Sequence, residues 1–295
     1  MARATQEDDV ARAVEKVGVV GLGTMGSGIA QLCIQAGVPT VAIEGSDELV
    51  ERGLGRIDTQ LARAVEKGRL EAGERERMLG LLDATTDVSS LAGCDLVIEA
   101  VFEDLAVKLE LFGRVEKQLA DDAVLATNTS ALSVTQIAGG LERPGRLVGM
   151  HFFNPAPVLP LVEIVRSELS DDDAFDTAYA FGERIGKEPI ACRDTPGFVV
   201  NRILIPVLND AVRVLDEGVA SAEDIDKGMR LGTNWPIGPL ALIDLIGIDV
   251  HVHVCEVLWE AFREPRFAPP SRLVRMVQAG LLGRKSGRGF YRYDT

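Results

Sequence analysis

Short apolar runs recur along the first two thirds of the chain, and each is followed by a stretch with a helical period. The run Lys16-Val17-Gly18-Val19-Val20 precedes a helical pattern from Met25 to Gln35, and Thr40 to Ile43 precedes a long amphipathic pattern from Asp47 to Lys67. Asp95 to Glu99 comes before a helix predicted over Leu105 to Leu119, and Ala123 to Thr127 before one near Thr135. Leu147 to Met150 reads as a further strand that ends at His151. Alternation of this kind predicts parallel βαβ units with helices on both faces of a mostly parallel sheet. Near residue 195 the texture changes. After Thr195-Pro196-Gly197 strand signals nearly vanish, Phe198 to Asp216 is helical in period, and Gly218 ends it. Ser221 with Asp224 has the spacing of an N-terminal capping box, Asp standing in for the usual Glu, and helical signals continue to about residue 280. The expectation is an α/β domain over residues 1–194, with 1–15 a solvated tail or frayed helix, and an all-helical domain over 195–295.

Composition narrows the choice of partner. The 295 residues suit one large domain or two ordinary ones, and 46% hydrophobic with 26% charged residues is globular usage. A net charge of −14 argues against nucleic acid and against an anionic membrane surface. It also means that an anionic ligand needs a local patch of Lys, Arg or helix N-termini. The four cysteines, Cys33, Cys94, Cys192 and Cys255, form no CxxC, so they read as small buried hydrophobes in a reducing cytosol, with neither a zinc knuckle nor a redox pair. Met1 to Lys16 is too polar for a secretory signal, and no apolar run approaches the roughly 20 residues of a membrane span. A soluble, cytoplasmic protein is expected.

Gly21-Leu22-Gly23-Thr24-Met25-Gly26 is a GxGxxG that leaves a predicted strand and opens a predicted helix. In that context Gly21 permits the tight turn, Gly23 lets the backbone approach a pyrophosphate, Gly26 lets helix and strand pack, and Thr24 and Met25 open the helix whose N–H groups face the phosphates. Glu44 ends the second strand, eighteen residues beyond Gly26. A carboxylate there accepts hydrogen bonds from ribose hydroxyls and repels a 2′-phosphate, which favours NAD over NADP. Other readings of Glu44 are a helix-capping acid or an S-adenosylmethionine site of similar shape. The whole predicts a Rossmann-like dinucleotide-binding domain.

Two further residues suggest proton transfer. His151 stands at the end of an apolar strand, where ligands bind in open parallel sheets, and Glu163 interrupts the apolar run Leu161-Val162-Glu163-Ile164-Val165. A carboxylate in such a run is either exposed on an edge strand or half-buried and in need of a partner. Paired with an imidazole, it would fix the tautomer and stabilise the imidazolium, which suits alcohol oxidation with loss of hydride from the same carbon. His251 and His253 alternate with valines and read as structural or surface residues. Ser130 is either a helix cap or a substrate contact, and Asn201 either an interhelical hydrogen bond or a second contact from the helical domain.

Taken together these segments resemble the L-3-hydroxyacyl-CoA dehydrogenase family, in particular its stand-alone 3-hydroxybutyryl-CoA dehydrogenases. The resemblance covers about residues 16–293. It rests on the glycine motif through Gly28-Ile29-Ala30, on Asn128-Thr129-Ser130, on His151-Phe152-Phe153-Asn154-Pro155 with Leu161-Val162-Glu163, and on Asp194-Thr195-Pro196-Gly197-Phe198 through Asn201-Arg202. Gly238-Pro239 and Gly283-Arg284-Lys285-Ser286-Gly287-Arg288-Gly289-Phe290-Tyr291 complete it. The resemblance implies an NAD-dependent enzyme for an acyl-CoA substrate, with His151 as general acid/base, Glu163 as its orienting partner, and Ser130 and Asn201 on the reacting oxygen or thioester. It implies Glu103, Lys108 and Asn154 near the nicotinamide ribose, Lys67 on the CoA moiety, and a homodimer made by the helical domain.

The chain departs from the family pattern at three places. Glu44 replaces the commoner Asp, Ala131 stands where many members have a second Ser, and Pro160 where many have Lys, which removes a positive charge beside the site. Two other classes remain open at this level. One is a dehydrogenase for a sugar acid on the same scaffold, and the other a non-catalytic dinucleotide-binding protein like the crystallin relatives.

Overall fold

The structure, a computed structural model, describes residues 12–293, and the chain divides into two compact units that meet in sequence between Asp194 and Thr195. The first unit holds strands β1 (Val17–Val20), β2 (Thr40–Ile43), β3 (Leu82–Thr85), β4 (Leu96–Glu99), β5 (Val124–Thr127), β6 (Leu147–Phe152), β7 (Leu161–Arg166) and β8 (Glu188–Arg193). They form one sheet in the order β3-β2-β1-β4-β5-β6-β7-β8. Helices α1 (Thr24–Gln35), α2 (Asp47–Glu66), α3 (Ala72–Leu79), α4 (Leu105–Val115), α5 (Val134–Ala138) and α6 (Asp172–Arg184) connect the strands. This is the mostly parallel, Rossmann-like architecture that the alternation predicts.

Every residue of β1, β2, β4 and β5 is buried. A sheet covered by helices on both faces has no solvent side, which is why these strands read as continuous apolar runs rather than alternating ones. Their register is level: Val20 lies opposite both Ile43 and Glu99, and Glu99 opposite Thr127. Gly21, Glu44, Ala100 and Asn128 therefore leave the sheet along one carboxyl edge, where open α/β sheets bind ligands.

The sheet is mostly rather than wholly parallel because β6 and β7 pair antiparallel. Only residues 153–160 join them, too few for a parallel crossover, which takes a dozen or more. Pairing with β7 also carries β6 two residues past its apolar run, so His151 lies within the strand and not after it. At the N-terminus, residues 1–11 of the expected tail lie outside the described residues. Residues 12–15 are anchored although Ala13 and Glu15 are exposed: Glu15 and Lys16 both donate their N–H to Asp95 Oδ2, at 2.7 and 3.0 Å, and Val14 is buried.

The second unit is built from α7 (Val200–Asp216), α8 (Ala222–Gly232), α9 (Pro239–Ile246), α10 (Ile248–Phe262) and α11 (Ser271–Gln278) around Leu208, Val212, Leu240, Ile243, Ile248 and Leu273. Ser221 caps α8 by accepting from Asp224 N–H at 3.1 Å. The reciprocal half of the box is different, because Asp is one methylene shorter than Glu: the Asp224 carboxylate meets the Ser221 hydroxyl at 3.0 Å. Two buried carboxylates organise the rest. Asp226 accepts from Leu240 and Ala241 N–H at the start of α9, and Asp244 accepts from Phe290 and Tyr291 N–H. A Cβ at Gly289 would stand 1.9 Å from Asp244 Oδ1, so this glycine of the C-terminal signature makes room for the carboxylate. His251 is buried, with Nε2 2.9 Å from Asn209 Oδ1, while His253 is exposed. Cys33, Cys94 and Cys255 are buried and Cys192 half-buried, their thiols pushed up by burial. Among the described residues no group of side chains could hold a metal ion, and no helix is long and apolar enough to cross a membrane.

Candidate active site

The carboxyl edge of the sheet gathers a cleft of about 780 Å³, lined by the glycine turn, Glu44, the start of α2 and the segment after β4. Gly21 has φ +94°, a conformation L side chains rarely adopt, and a Cβ on Gly26 would sit 1.7 Å from the Gly21 carbonyl oxygen. A Cβ on Gly23 would meet nothing within 4 Å. The first and third glycines are thus required by turn and packing, and the second opens the backbone to the cleft. Gly23 is also the N-cap of α1 and brings no side-chain cap to the helix N–H groups, so the turn fits a pyrophosphate. Glu44 Oε1 accepts from Leu22 N–H at 2.6 Å and Oε2 from Gly45 N–H at 3.0 Å. It does not cap α2, since Ser46 does, which removes the helix-cap reading. These residues fit an adenosine ribose and pyrophosphate in the first unit.

Beside this cleft lies a chain of polar contacts that sequence reasoning found only in part. Glu99, fully buried at the end of β4, accepts from Lys108 Nζ at 2.6 Å, from Thr127 Oγ1 at 2.7 Å and from Val101 N–H at 2.7 Å. Lys108 also stands 3.4 Å from Glu103 Oε2. Glu103 Oε1 in turn accepts from Thr129 Oγ1 and from the N–H groups of Ser130 and Ala131, at 2.6, 2.8 and 3.0 Å. Burial alone would raise the Glu103 carboxyl, but the Lys108 charge and these hydrogen bonds outweigh it and hold it below the usual carboxylate range. The two acids and the lysine therefore fix the loop that carries Ser130. The cap of α5 is Ser133, so Ser130 is not a helix cap, and its hydroxyl has no partner among the described residues. Glu99, Thr127 and Thr129 carried no signal of their own, because each reads as an ordinary strand or loop residue.

Next along the sheet, His151 and Glu163 are register partners across the β6–β7 ladder, with Nδ1 2.7 Å from Oε2. The imidazole is 4% exposed and the carboxylate 0%, so Glu163 is neither on an edge strand nor in solvent. Phe153 packs on the ring, centroids 4.6 Å apart. Asn128 Oδ1 accepts from Phe152 N–H at 2.9 Å and ties the end of β6 to the segment after β5. Asn154 follows, exposed, at the head of the 153–160 loop. That loop is held from below by Lys187, whose buried ammonium donates to the carbonyls of Ala156 and Leu159 at 2.6 and 2.8 Å.

Comparison with known proteins fixes what this arrangement belongs to. Residues 16–195 match the family model of the 3-hydroxyacyl-CoA dehydrogenase NAD binding domain, and residues 197–293 that of the 3-hydroxyacyl-CoA dehydrogenase C-terminal domain. The chain belongs to the 3-hydroxyacyl-CoA dehydrogenase family. A 3-hydroxybutyryl-CoA dehydrogenase of Mycobacterium tuberculosis is 47% identical to it over 283 residues, 95% of this chain and 99% of the relative. One of Clostridioides difficile is 41% identical over 95% of this chain and 99% of the relative. The crystal structure of (S)-3-hydroxybutyryl-CoA dehydrogenase from Ralstonia eutropha superposes with a TM-score of 0.93 at 42% identity, covering 96% of this chain and all of that one.

As a dehydrogenase of this family the chain binds NAD through its first unit, and the glycine turn, Glu44, Glu103 and Ser130 lie along the carboxyl edge of one sheet. Lys108 is placed differently from an open ligand contact. It is fully buried and its ammonium engages Glu99 and Glu103, so it acts on this site through Glu103. Lys67 is exposed at the C-terminal end of α2, about 30 Å along the helix axis from its first residue, Asp47. Asn201 lies in the first turn of α7, half-buried, in the second unit. The structure also adds Arg52 and Arg56, which line the nucleotide cleft from α2. Both sit on the polar stripe of an amphipathic helix, where an arginine reads as solvated.

Proposed function

We propose that this enzyme interconverts short (S)-3-hydroxyacyl-CoA and 3-ketoacyl-CoA, as its relatives' names describe for 3-hydroxybutyryl-CoA, with His151 as the general acid/base. The buried His151–Glu163 pair carries this reading. A carboxylate at Nδ1 favours the tautomer with the proton there, which makes Nε2 the basic nitrogen of the neutral ring. In the oxidising direction Nε2 takes the proton of the 3-hydroxyl, and Glu163 stabilises the imidazolium that results. NAD supplies the hydride acceptor. In this reading Ser130 and Asn201 bind the substrate's oxygen atoms, Asn154 and Glu103 lie beside the nicotinamide ribose, and Lys67 meets the CoA moiety.

Steady-state reduction of acetoacetyl-CoA with NADH, set against free 3-keto acids, tests the substrate class. His151→Ala should lower kcat on the order of a hundred- to ten-thousandfold with NADH affinity intact. Turnover within a few fold of the parent would remove His151 from the reaction. We further propose a cytoplasmic homodimer formed through residues 195–295, which light scattering on the eluting protein checks directly.

A further inference from the structure

The dinucleotide is an anion, and this chain carries a net charge of −14. Local cations must offset that field where the phosphates bind. The nucleotide cleft supplies them: Arg52, Arg56 and Arg114 line it against Glu44 and Glu110, so the lining is net cationic on an acidic protein.

Arg56 differs from the other two in being fixed to the phosphate turn. Its Nη1 donates to the Leu22 carbonyl oxygen at 3.0 Å. On the other side of the same residue, Leu22 N–H donates to Glu44 Oε1 at 2.6 Å. The residue between the first two glycines is thus held at both polar groups by side chains, one from the end of β2 and one from α2. Close packing brings Arg56 into place. Gly53, one turn earlier on α2, lies against Leu22 so tightly that a Cβ there would come within 2.5 Å of the leucine side chain. A guanidinium carries five N–H donors, and among the described residues Leu22 is the one partner of Arg56. The others are available to a ligand in the cleft that the residue lines. Next to Leu22 are Gly23, which leaves open space, and Thr24, which opens α1.

We propose that Arg56 is a cofactor-binding residue, which locks the glycine turn through Leu22 and donates from the same guanidinium to the pyrophosphate of NAD. The assignment rests on the NAD reading of the cleft. It gives the acidic chain the cation its cofactor site needs, and it gives Arg56 two separable tasks: positioning the turn and neutralising charge.

Calorimetric titration of the full-length protein with ADP-ribose and with adenosine separates these tasks without any turnover. Arg56→Gln should weaken ADP-ribose roughly tenfold, the worth of one charge-assisted hydrogen bond at a part-exposed site, and leave adenosine unchanged. Raising the salt from 50 to 500 mM should weaken ADP-ribose binding to the parent more than to Arg56→Gln. Arg56→Lys, which keeps the charge, should retain most of the affinity. Unchanged ADP-ribose affinity in Arg56→Gln would overturn the proposal, and so would an equal loss for ADP-ribose and adenosine, which marks a merely structural role. If the parent itself failed to bind ADP-ribose, the NAD reading would fall first and the assignment with it.

Discussion

Lys108 and Glu99 form an ion pair with both side chains fully buried, Nζ 2.6 Å from Oε1, beneath the loop that carries Ser130. The pair survives burial because each charge has more than one partner: Thr127 and Val101 complete Glu99, and Glu103 completes Lys108. Lys108→Met leaves two carboxylates around an apolar stem. We expect a loss of about 3–5 kcal/mol in denaturant unfolding, the usual cost of breaking a buried pair on one side. The double variant Lys108→Met/Glu99→Gln, with one carboxylate neutralised, should recover part of that loss. An Lys108→Met protein as stable as the parent would show that the ammonium does not hold the network.

The same network predicts an acid limb. Glu103 has a depressed carboxyl, so its contribution to stability is present in full above the ordinary glutamate range near pH 4.3 and is lost as pH falls through its lower folded value. Glu103→Gln should therefore be less stable than the parent at pH 7, and the gap should narrow below about pH 4. Chemical denaturation at both pH values reads this out.

Glu163→Gln tests a different link, from a neighbouring side chain to the chemistry. An amide can still accept from Nδ1–H, so ring placement is largely kept while the negative charge is lost. The imidazolium is then less stabilised. kcat for the oxidation should fall on the order of a hundredfold while NADH affinity stays intact. An amide variant with the parent's kcat would argue that Glu163 serves packing alone.

How much of this was legible in the chain depends on where each residue sits. β1, β2, β4 and β5 are buried on both faces and announced themselves as apolar runs. The two strands that no run marked, β3 and β8, are the two edges of the sheet, half-exposed and interrupted by Asp83 and Pro189. The glycine motif, Glu44, His151 and Glu163 were readable because a charged or flexible residue stood where the pattern asked for something else. Arg56 and Lys187 were not, since a cation on a polar stripe or beside a turn looks solvated until the tertiary fold brings a carbonyl to it. Asn128 likewise gains its meaning only when β6 arrives beside β5.

Lys187 is a buried cation satisfied by two carbonyl oxygens of the loop that follows His151 and Asn154. Burial pulls its ammonium below the ordinary lysine range, and the carbonyls of Ala156 and Leu159 are what it offers in exchange for water. Lys187→Met should loosen residues 155–160 while leaving the nucleotide cleft alone. We expect kcat/KM for the ketoacyl-CoA to fall roughly ten- to a hundredfold, as displaced positioning groups do, with ADP-ribose affinity unchanged. Faster backbone hydrogen exchange confined to the loop would show the cause.

His251 gives the helical unit its own pH signature. Burial holds its imidazole down at about 4, and Nε2 is fixed on Asn209 Oδ1, so the folded protein keeps the ring neutral where an unfolded chain has already protonated it. Between pH 6.5 and about 4 the unfolded state therefore binds more protons, and stability must fall as pH falls through that window. The ceiling on this loss is about 3 kcal/mol, from the difference between the two values. His251→Gln, which offers Asn209 an N–H donor without a titrating ring, should lower stability at pH 7.5 but flatten the slope between pH 6.5 and 4.5. Equal slopes in the two proteins, measured by urea unfolding at a series of pH values, would show that the acid sensitivity of this unit arises elsewhere.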